Sequence, residues 1–449
     1  MYTANAALRR ASTGPDRERS ASLPRTPGSA LAVPVPRIRP TLIGALSFAA
    51  GTLASVKINL GGEVFLAELA VLPVAVLALL TRDGRKVVRS SMFWLLLSAF
   101  LVTLAGYVIS DLVRQTPEAQ YLRGWARNAI VATSFVSLCI IFLSDRRNVW
   151  WFLLGIAIGS VVYFKLMQNL PIGSVTHWKF SYSIPFTFLL ACSAVVLPLR
   201  IVGLLFVALG AYSVFEDYRV HGAVCLLLGG LLWLTVTARG NRISAATVAK
   251  FAVAGALGVL VALALVSASE SEWHEQRRAS SNMTRALGLQ VGVNAIIASP
   301  IIGYGSWSNH RDLLAVASQT IARYNETAER PWTEGILVNA HSQVLNAWME
   351  GGVFGAGLFL VALVVVAREG YLALLGRPPD LLLPALLFLL VFQLWALVMS
   401  PLGTDNRLFL ASALAVAVVA NSERLARRSA VRESIRRHTA QHLRAPRRQ

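Results

Sequence analysis

The residues best suited to chemistry in this chain are few and widely separated. They are Arg219 in the run FEDYRVHG, Arg285 in SNMTRALGLQVGVNAIIASPIIGYGSW, and His341 with Ser342 at the head of NAHSQVLNAWMEGGVFGAG. A guanidinium presents planar, bidentate donors that never deprotonate in a protein, so two of them suit the oxygens of an anionic group. Histidine titrates nearest neutral pH and can take or share a proton. After Arg285 come a helix-like apolar stretch (Leu287–Ile302), Pro300, Gly303 and Gly305. The proline ends a helix and the glycines allow a tight return with close backbone approach, which would pin Arg285 at the far end of a surface helix. About three turns beyond His341, Gly351 and Gly355 make a G-x-x-x-G pair that lets a neighbouring helix come close; Gly352 and Gly357 accompany it.

Such residues need a scaffold, and composition indicates which. Of 449 residues 55% are hydrophobic and 14% charged, yet the formal net charge is +19. Average soluble domains carry about 25% charged residues. Basic charge alone would suit a nucleic-acid binder, but such a groove needs a polar surface around it. Disorder of the whole chain is excluded by its apolar content. Cys139, Cys192 and Cys225 all sit within apolar runs, with no CxxC spacing, and read as small packing residues. A polytopic membrane protein satisfies both figures, with the charge acting as an orientation signal.

Apolar runs near the ~20 residues needed to cross a bilayer follow one another from Thr41. They fall near 41–58, 63–80, 91–110, 125–144, 149–168, 183–199, 201–216, 221–238, 248–267, 345–367, 381–400 and 406–420. The expectation is an all-α protein of about twelve transmembrane helices. Residues 1–40 form a disordered basic tail, 41–267 carry helices one to nine, and 268–344 make one large, partly helical loop. Residues 345–420 carry helices ten to twelve, and 421–449 form a second basic tail. With both tails inside, 28 of the 42 Lys and Arg face the cytoplasm against 8 acidic residues, while the other face holds 14 basic and 15 acidic residues. That is the positive-inside pattern.

The same sorting isolates the candidate residues. Arg219 and Arg285 fall on the outer face, where orientation does not require them, and His341 shares that face. Arg239 in TARGNR competes with Arg219 but falls on the cytoplasmic side as a positive-inside anchor. Glu350 and Glu68 lie within predicted spans, where function and pairing with an arginine are equally open. Tyr304, Trp307, Tyr324 and Trp332 suit stacking on sugars or a place at the lipid interface, and interfacial anchoring is the favoured reading. The outer face offers no Asp-x-Asp pair and no His/Glu cluster with metal spacing, so no metal is expected.

His341-Ser342, nine residues, then Gly352-x-x-Gly355 resembles the His-[Asn/Ser/Gln]-x9-Gly-x-x-Gly signature of the bacterial O-antigen ligase and polysaccharide polymerase family. Arg285 with Pro300-x-x-Gly303-x-Gly305 resembles the start of that family's large periplasmic loop. Arg219 corresponds by position to a further arginine, in an Asp-Tyr-Arg setting where the family usually has Ser-Arg-Gly. The resemblance implies a metal-independent glycosyltransferase of the bacterial inner membrane, active on its periplasmic face, with both termini cytoplasmic and no cofactor. The donor would be a glycan on undecaprenyl diphosphate. The acceptor would be lipid A–core in a ligase or a second lipid-linked glycan in a polymerase. Membrane lipids, and no nucleic acid, complete the expected partners. In this reading Arg219 and Arg285 hold the diphosphate, Ser342 assists binding, and His341 serves the acceptor or leaving-group side. A twelve-helix secondary transporter or flippase is the alternative of another class; it would need its polar sites near the bilayer midplane, often at broken helices.

Overall fold

In a bilayer, long apolar runs can satisfy their backbone groups internally as helices, and the computed structural model is built that way. It describes residues 41–59, 62–172, 177–237, 272–308, 310–328, 338–375 and 382–444. The segment 1–40, the predicted ninth span at 248–267, Arg239 and Trp332 lie outside the described residues. The first elements are α1 (Leu42–Thr52), the hairpin strands β1 (Lys57–Asn59) and β2 (Glu63–Phe65), and α2 (Leu66–Leu79). There follow α3 (Ser91–Arg114), α4 (Glu118–Ser144), α5 (Arg147–Val162), α6 (Ser183–Cys192), α7 (Leu199–Phe215) and α8 (Arg219–Thr237). The remainder is α9 (Glu272–Ala298), α10 (Arg311–Thr327), α11 (Gln343–Gly355), α12 (Gly357–Leu375), α13 (Leu383–Met399) and α14 (Thr404–Arg444). The antiparallel pairing of Lys57 with Phe65 through Asn59 with Glu63 is the one sheet among the described residues.

Among the described residues, five segments are long and apolar enough to cross a membrane: Ser91–Arg114, Glu118–Ser144, Arg147–Met167, Gly357–Leu375 and Asn406–His438. Several of the other predicted spans are shorter helices. The run at 183–199 is helical to Cys192, then takes a 3-10 turn over Ser193–Val195 and stops before Pro198. The run at 345–367 is not one helix. It breaks at Gly352, whose φ of 67° and ψ of −165° belong to a region open in practice to glycine alone. At the other end α14 does not stop near residue 420 but continues through the basic segment to Arg444.

The core is a continuous apolar cluster containing Phe93, Phe100 and Phe135, whose rings lie 5.3–5.8 Å apart between α3 and α4. Carboxylates within it are paired. Glu68 accepts from Arg407 Nε and Nη2 at 3.1 Å each, and Glu369 takes both nitrogens of Arg424 at 2.7 and 2.8 Å. For Glu68, pairing with an arginine is therefore the observed role.

Candidate active site

Arg219 owes its position to the end of α7. Asp217 adopts a left-handed φ of 55°, its N–H donates to Val214 O at 3.1 Å, and Tyr218 N–H donates to Ser213 O at 2.8 Å. This is a Schellman cap with aspartate where glycine is usual; the short polar side chain of Asp tolerates that conformation better than most. The cap reverses the chain and sets Tyr218 and Arg219 at the head of α8. Arg219 Nε comes within 3.3 Å of Asp217 Oδ1, but the approach is too poorly aimed to be a hydrogen bond. Arg219 Nε and Nη2 are both shielded from solvent with no hydrogen-bond partner among the described residues.

Arg285 lies in the middle of α9, not at the far end of a surface helix. The helix begins well before the apolar stretch, and Leu287, Val291 and Ala295 are buried, so one face packs on protein while Val293 and Ile297 stay exposed. Gly292 follows Arg285 by seven residues, two turns on the same face. A Cβ on Gly292 would come within 2.6 Å of Ala340 Cβ. That close approach brings α9 onto the turn bearing His341.

The turn itself is clipped by two asparagines. Asn339 Oδ1 accepts from His341 N–H at 2.9 Å and from Asn346 Nδ2 at 3.0 Å, while Asn346 Oδ1 accepts from Ala340 N–H at 2.9 Å. His341 is held at φ 48°, a conformation that a non-glycine residue keeps only when its surroundings impose it. Partial burial pulls its imidazole below the usual 6.5, and the nearby Arg285 charge lowers it further. The ring is therefore neutral at pH 7. Ser342 is placed differently from expectation. Buried at the N-cap of α11, its hydroxyl accepts from Leu345 N–H at 3.3 Å and donates to Leu397 O at 3.1 Å. It starts the helix and ties it to α13 rather than facing open space.

Arg219 and Arg285 meet in one cleft of about 540 Å³, open mouth included. Its lining also holds Lys179, Asp217, Tyr218 and Asn282. The Arg285 charge acts on Tyr218 as well as on His341: burial pushes the Tyr218 hydroxyl up to about 12 against that pull. His341 itself is not part of the cleft wall. It stands beside the cleft, coupled to it through Arg285.

The loop after α9 holds a second polar cluster. Gly303 packs where a Cβ would strike Glu350 O, and Gly305 takes φ 86°. Tyr304 and Gly305 N–H donate to Met349 O and Glu350 O at 2.8 and 2.9 Å, and Val353 N–H donates to Pro300 O at 3.1 Å. The loop thus satisfies backbone groups freed where the chain breaks at Gly352. Gly106 of α3 packs where a Cβ would meet Phe354 and Gly355, the close helix approach expected of the glycine pair. Arg114 secures the loop by donating to Gly303 O, Ser299 Oγ and Asp312 Oδ2 at 2.9–3.0 Å. Asp111 accepts from Ser306 N–H at 2.6 Å, Ser306 Oγ at 2.7 Å and Trp125 Nε1 at 2.8 Å. Glu350 pairs with Arg127 and accepts from Tyr107 OH at 2.7 Å. Tyr304, expected at the lipid interface, is instead buried against Ala295, Leu313 and Met349.

Sequence reasoning missed Lys179, Tyr218, Asp111, Arg114, Arg127 and the two asparagines. For Lys179 a signal existed: the positive-inside sorting assigns it to the outer face with no orientation role, the same criterion that singles out Arg219. No group of three or more His, Cys, Asp or Glu among the described residues is arranged to hold a metal ion.

A helical membrane protein with an arginine-lined cleft and a neutral histidine beside it is the class defined by these features. The sequence model of the O-antigen ligase family matches residues 132–360, just over half of the chain, and the chain belongs to that family. The matched segment contains Arg219, Arg285, His341 and the glycines around the Gly352 break. Membership makes this a membrane enzyme of the O-antigen ligase or polymerase kind. Comparison with curated proteins gives no match.

Proposed function

We propose that this protein transfers a glycan from undecaprenyl diphosphate to a sugar hydroxyl at the periplasmic face of the inner membrane, in the manner of an O-antigen ligase. The observation that carries this reading is the convergence of Arg219 and Arg285, from separate elements, on one cleft in which Arg219 keeps two buried N–H groups without an acceptor. In the reaction the bond from the anomeric carbon to the diphosphate oxygen breaks and a bond to the acceptor oxygen forms. Negative charge grows on the departing diphosphate, where the two guanidiniums donate to it in place of a metal ion. The acceptor proton passes to the neutral imidazole of His341, and Ser342 acts by holding that turn. The acceptor is lipid A–core.

The polar contacts support the twelve-span, both-termini-cytoplasmic orientation, because each joins segments assigned to one side. Residues sorted to the cytoplasm meet in Arg146–Glu423 at 3.5 Å and Glu369–Arg424 at 2.7 Å. Those sorted to the periplasm meet in Arg114–Asp312 at 3.0 Å and around the cleft.

Deletion of the gene followed by glycan analysis tests the reaction. The expected outcome is loss of glycan attachment with long lipid-linked chains accumulating. Accumulation of single lipid-linked repeats would identify a polymerase, and unchanged surface and lipid-linked glycans would refute both.

A further inference from the structure

Lys179 has no role in the transfer described above, yet it lines the same cleft as the two arginines. It enters from a third element, the turn Trp178–Tyr182 that leads into α6. Its neighbour Trp178 is buried and donates from Nε1 to Ser213 Oγ at 3.2 Å, which fastens this turn to the end of α7. The ammonium lies 6.0 Å from the centroid of the Tyr218 ring, within reach of a cation–π contact. Tyr218 is in turn backed by the buried ring of His221, stacked at 5.1 Å and 16°. Both nitrogens of His221 are occupied, one by Thr187 Oγ1 at 2.7 Å and one by Ser213 Oγ at 2.9 Å. Lys179 therefore sits over a braced aromatic platform at the cleft wall.

We propose that Lys179 is the third cation of the donor site and makes the cleft select a diphosphate lipid over a monophosphate lipid. The inference rests on the cleft being the donor site. Its basis is charge matching. Lys179, Arg219 and Arg285 with Asp217 as the one carboxylate give the lining two net positive charges. A lipid diphosphate spreads its ionised oxygens over two phosphorus centres and can meet the arginines and Lys179 together, whereas a monophosphate gathers its charge on one phosphorus and reaches the arginines alone. The planar arginine forks suit bidentate contact with one phosphate, and a compact ammonium on a flexible stem suits the second as a point charge.

The test uses the purified full chain in lipid nanodiscs, titrated with undecaprenyl diphosphate and with undecaprenyl monophosphate. Lys179→Gln is expected to weaken diphosphate binding about tenfold, the worth of one charge-assisted contact, and to leave monophosphate binding unchanged. Lys179→Arg keeps the preference. Equal weakening toward both lipids, or no weakening toward either, overturns the role of Lys179. Arg285→Ala, measured alongside, separates the two levels. If it loses diphosphate binding while Lys179→Gln does not, only the lysine inference fails; if neither variant loses it, the cleft is not the donor site and both readings fail.

Discussion

The loop cluster around Glu350 and the cleft around Arg219 are both built on arginines, and they differ in what the fold supplies to the guanidinium groups. Arg114 donates to three acceptors of its own chain, and Arg127 is engaged by Glu350 and Tyr107 and lies 5.3 Å from the Trp307 ring centroid, with its Nε alone left without an acceptor. Arg219 has one poorly aimed carboxylate and two shielded N–H groups without acceptors. Desolvating a guanidinium at a membrane boundary is costly. Where the chain provides the acceptors, the arginine serves the structure: it fastens the 299–306 loop across the break at Gly352. Where the chain withholds them, the proposed diphosphate would supply the acceptors.

Separating stability from transfer is the strongest way to break this contrast. Arg285→Ala or His341→Ala is expected to cut glycan transfer by about 100-fold or more, with thermal unfolding in detergent unchanged. Glu350→Ala acts in the opposite sense: it leaves Arg127 uncompensated and costs about 3–5 kcal/mol of stability, read as a lower unfolding temperature. A stable but inactive Glu350→Ala protein would move the loop cluster into the chemistry and erase the distinction.

A smaller effect sharpens the cleft itself. Arg219→Lys keeps the charge but loses the fork, and transfer should fall about tenfold. If Arg219→Ala is harmless while Arg239→Ala is damaging, the wrong segment has been assigned to the active face. The smallest expected change is in the pH profile. Burial and Arg285 both disfavour the imidazolium of His341, so its pKa lies below 6.5. A base must be neutral, so transfer should hold as pH falls to 6.5 and decline only below it. An acid limb at or above neutrality would exclude His341 as that base.

Much of the site was legible in sequence because it rests on residue type and sidedness. The positive-inside pattern leaves Arg219, Arg285 and His341 without a task, and the two arginines line one cleft. Lys179 meets the same criterion but stands alone in an undistinguished loop, with no motif to mark it. Asp111 carries no such mark: it lies within an ordinary helix, and its importance comes from Ser306, far away in the chain. Ser342 shows the converse. Adjacent to His341 in sequence, its hydroxyl turns inward to cap α11 and bond Leu397 O, because neighbours along the chain need not face the same way.

The fold divides along the same line. Apolar run length announced a helical membrane protein, and the order Pro300, Gly303, Gly305 announced a tight return after a helix. It took the packed structure to reveal that Gly352 interrupts the predicted tenth span, since the break depends on backbone groups of the 300–305 loop arriving to satisfy it. The basic segment after residue 420 gives no sequence signal for its continuation as helix to Arg444, where the Arg424–Glu369 pair fastens its first turn.

By itself, then, the sequence determined that this is a helical membrane protein and which side chains are candidates for chemistry, because those depend on local composition and period. Tertiary structure alone decided which arginines are spent on the scaffold and which stay open to a ligand. The physical reason is that a guanidinium's role is set by the acceptors within about 3 Å of it, and those come from elements remote in sequence.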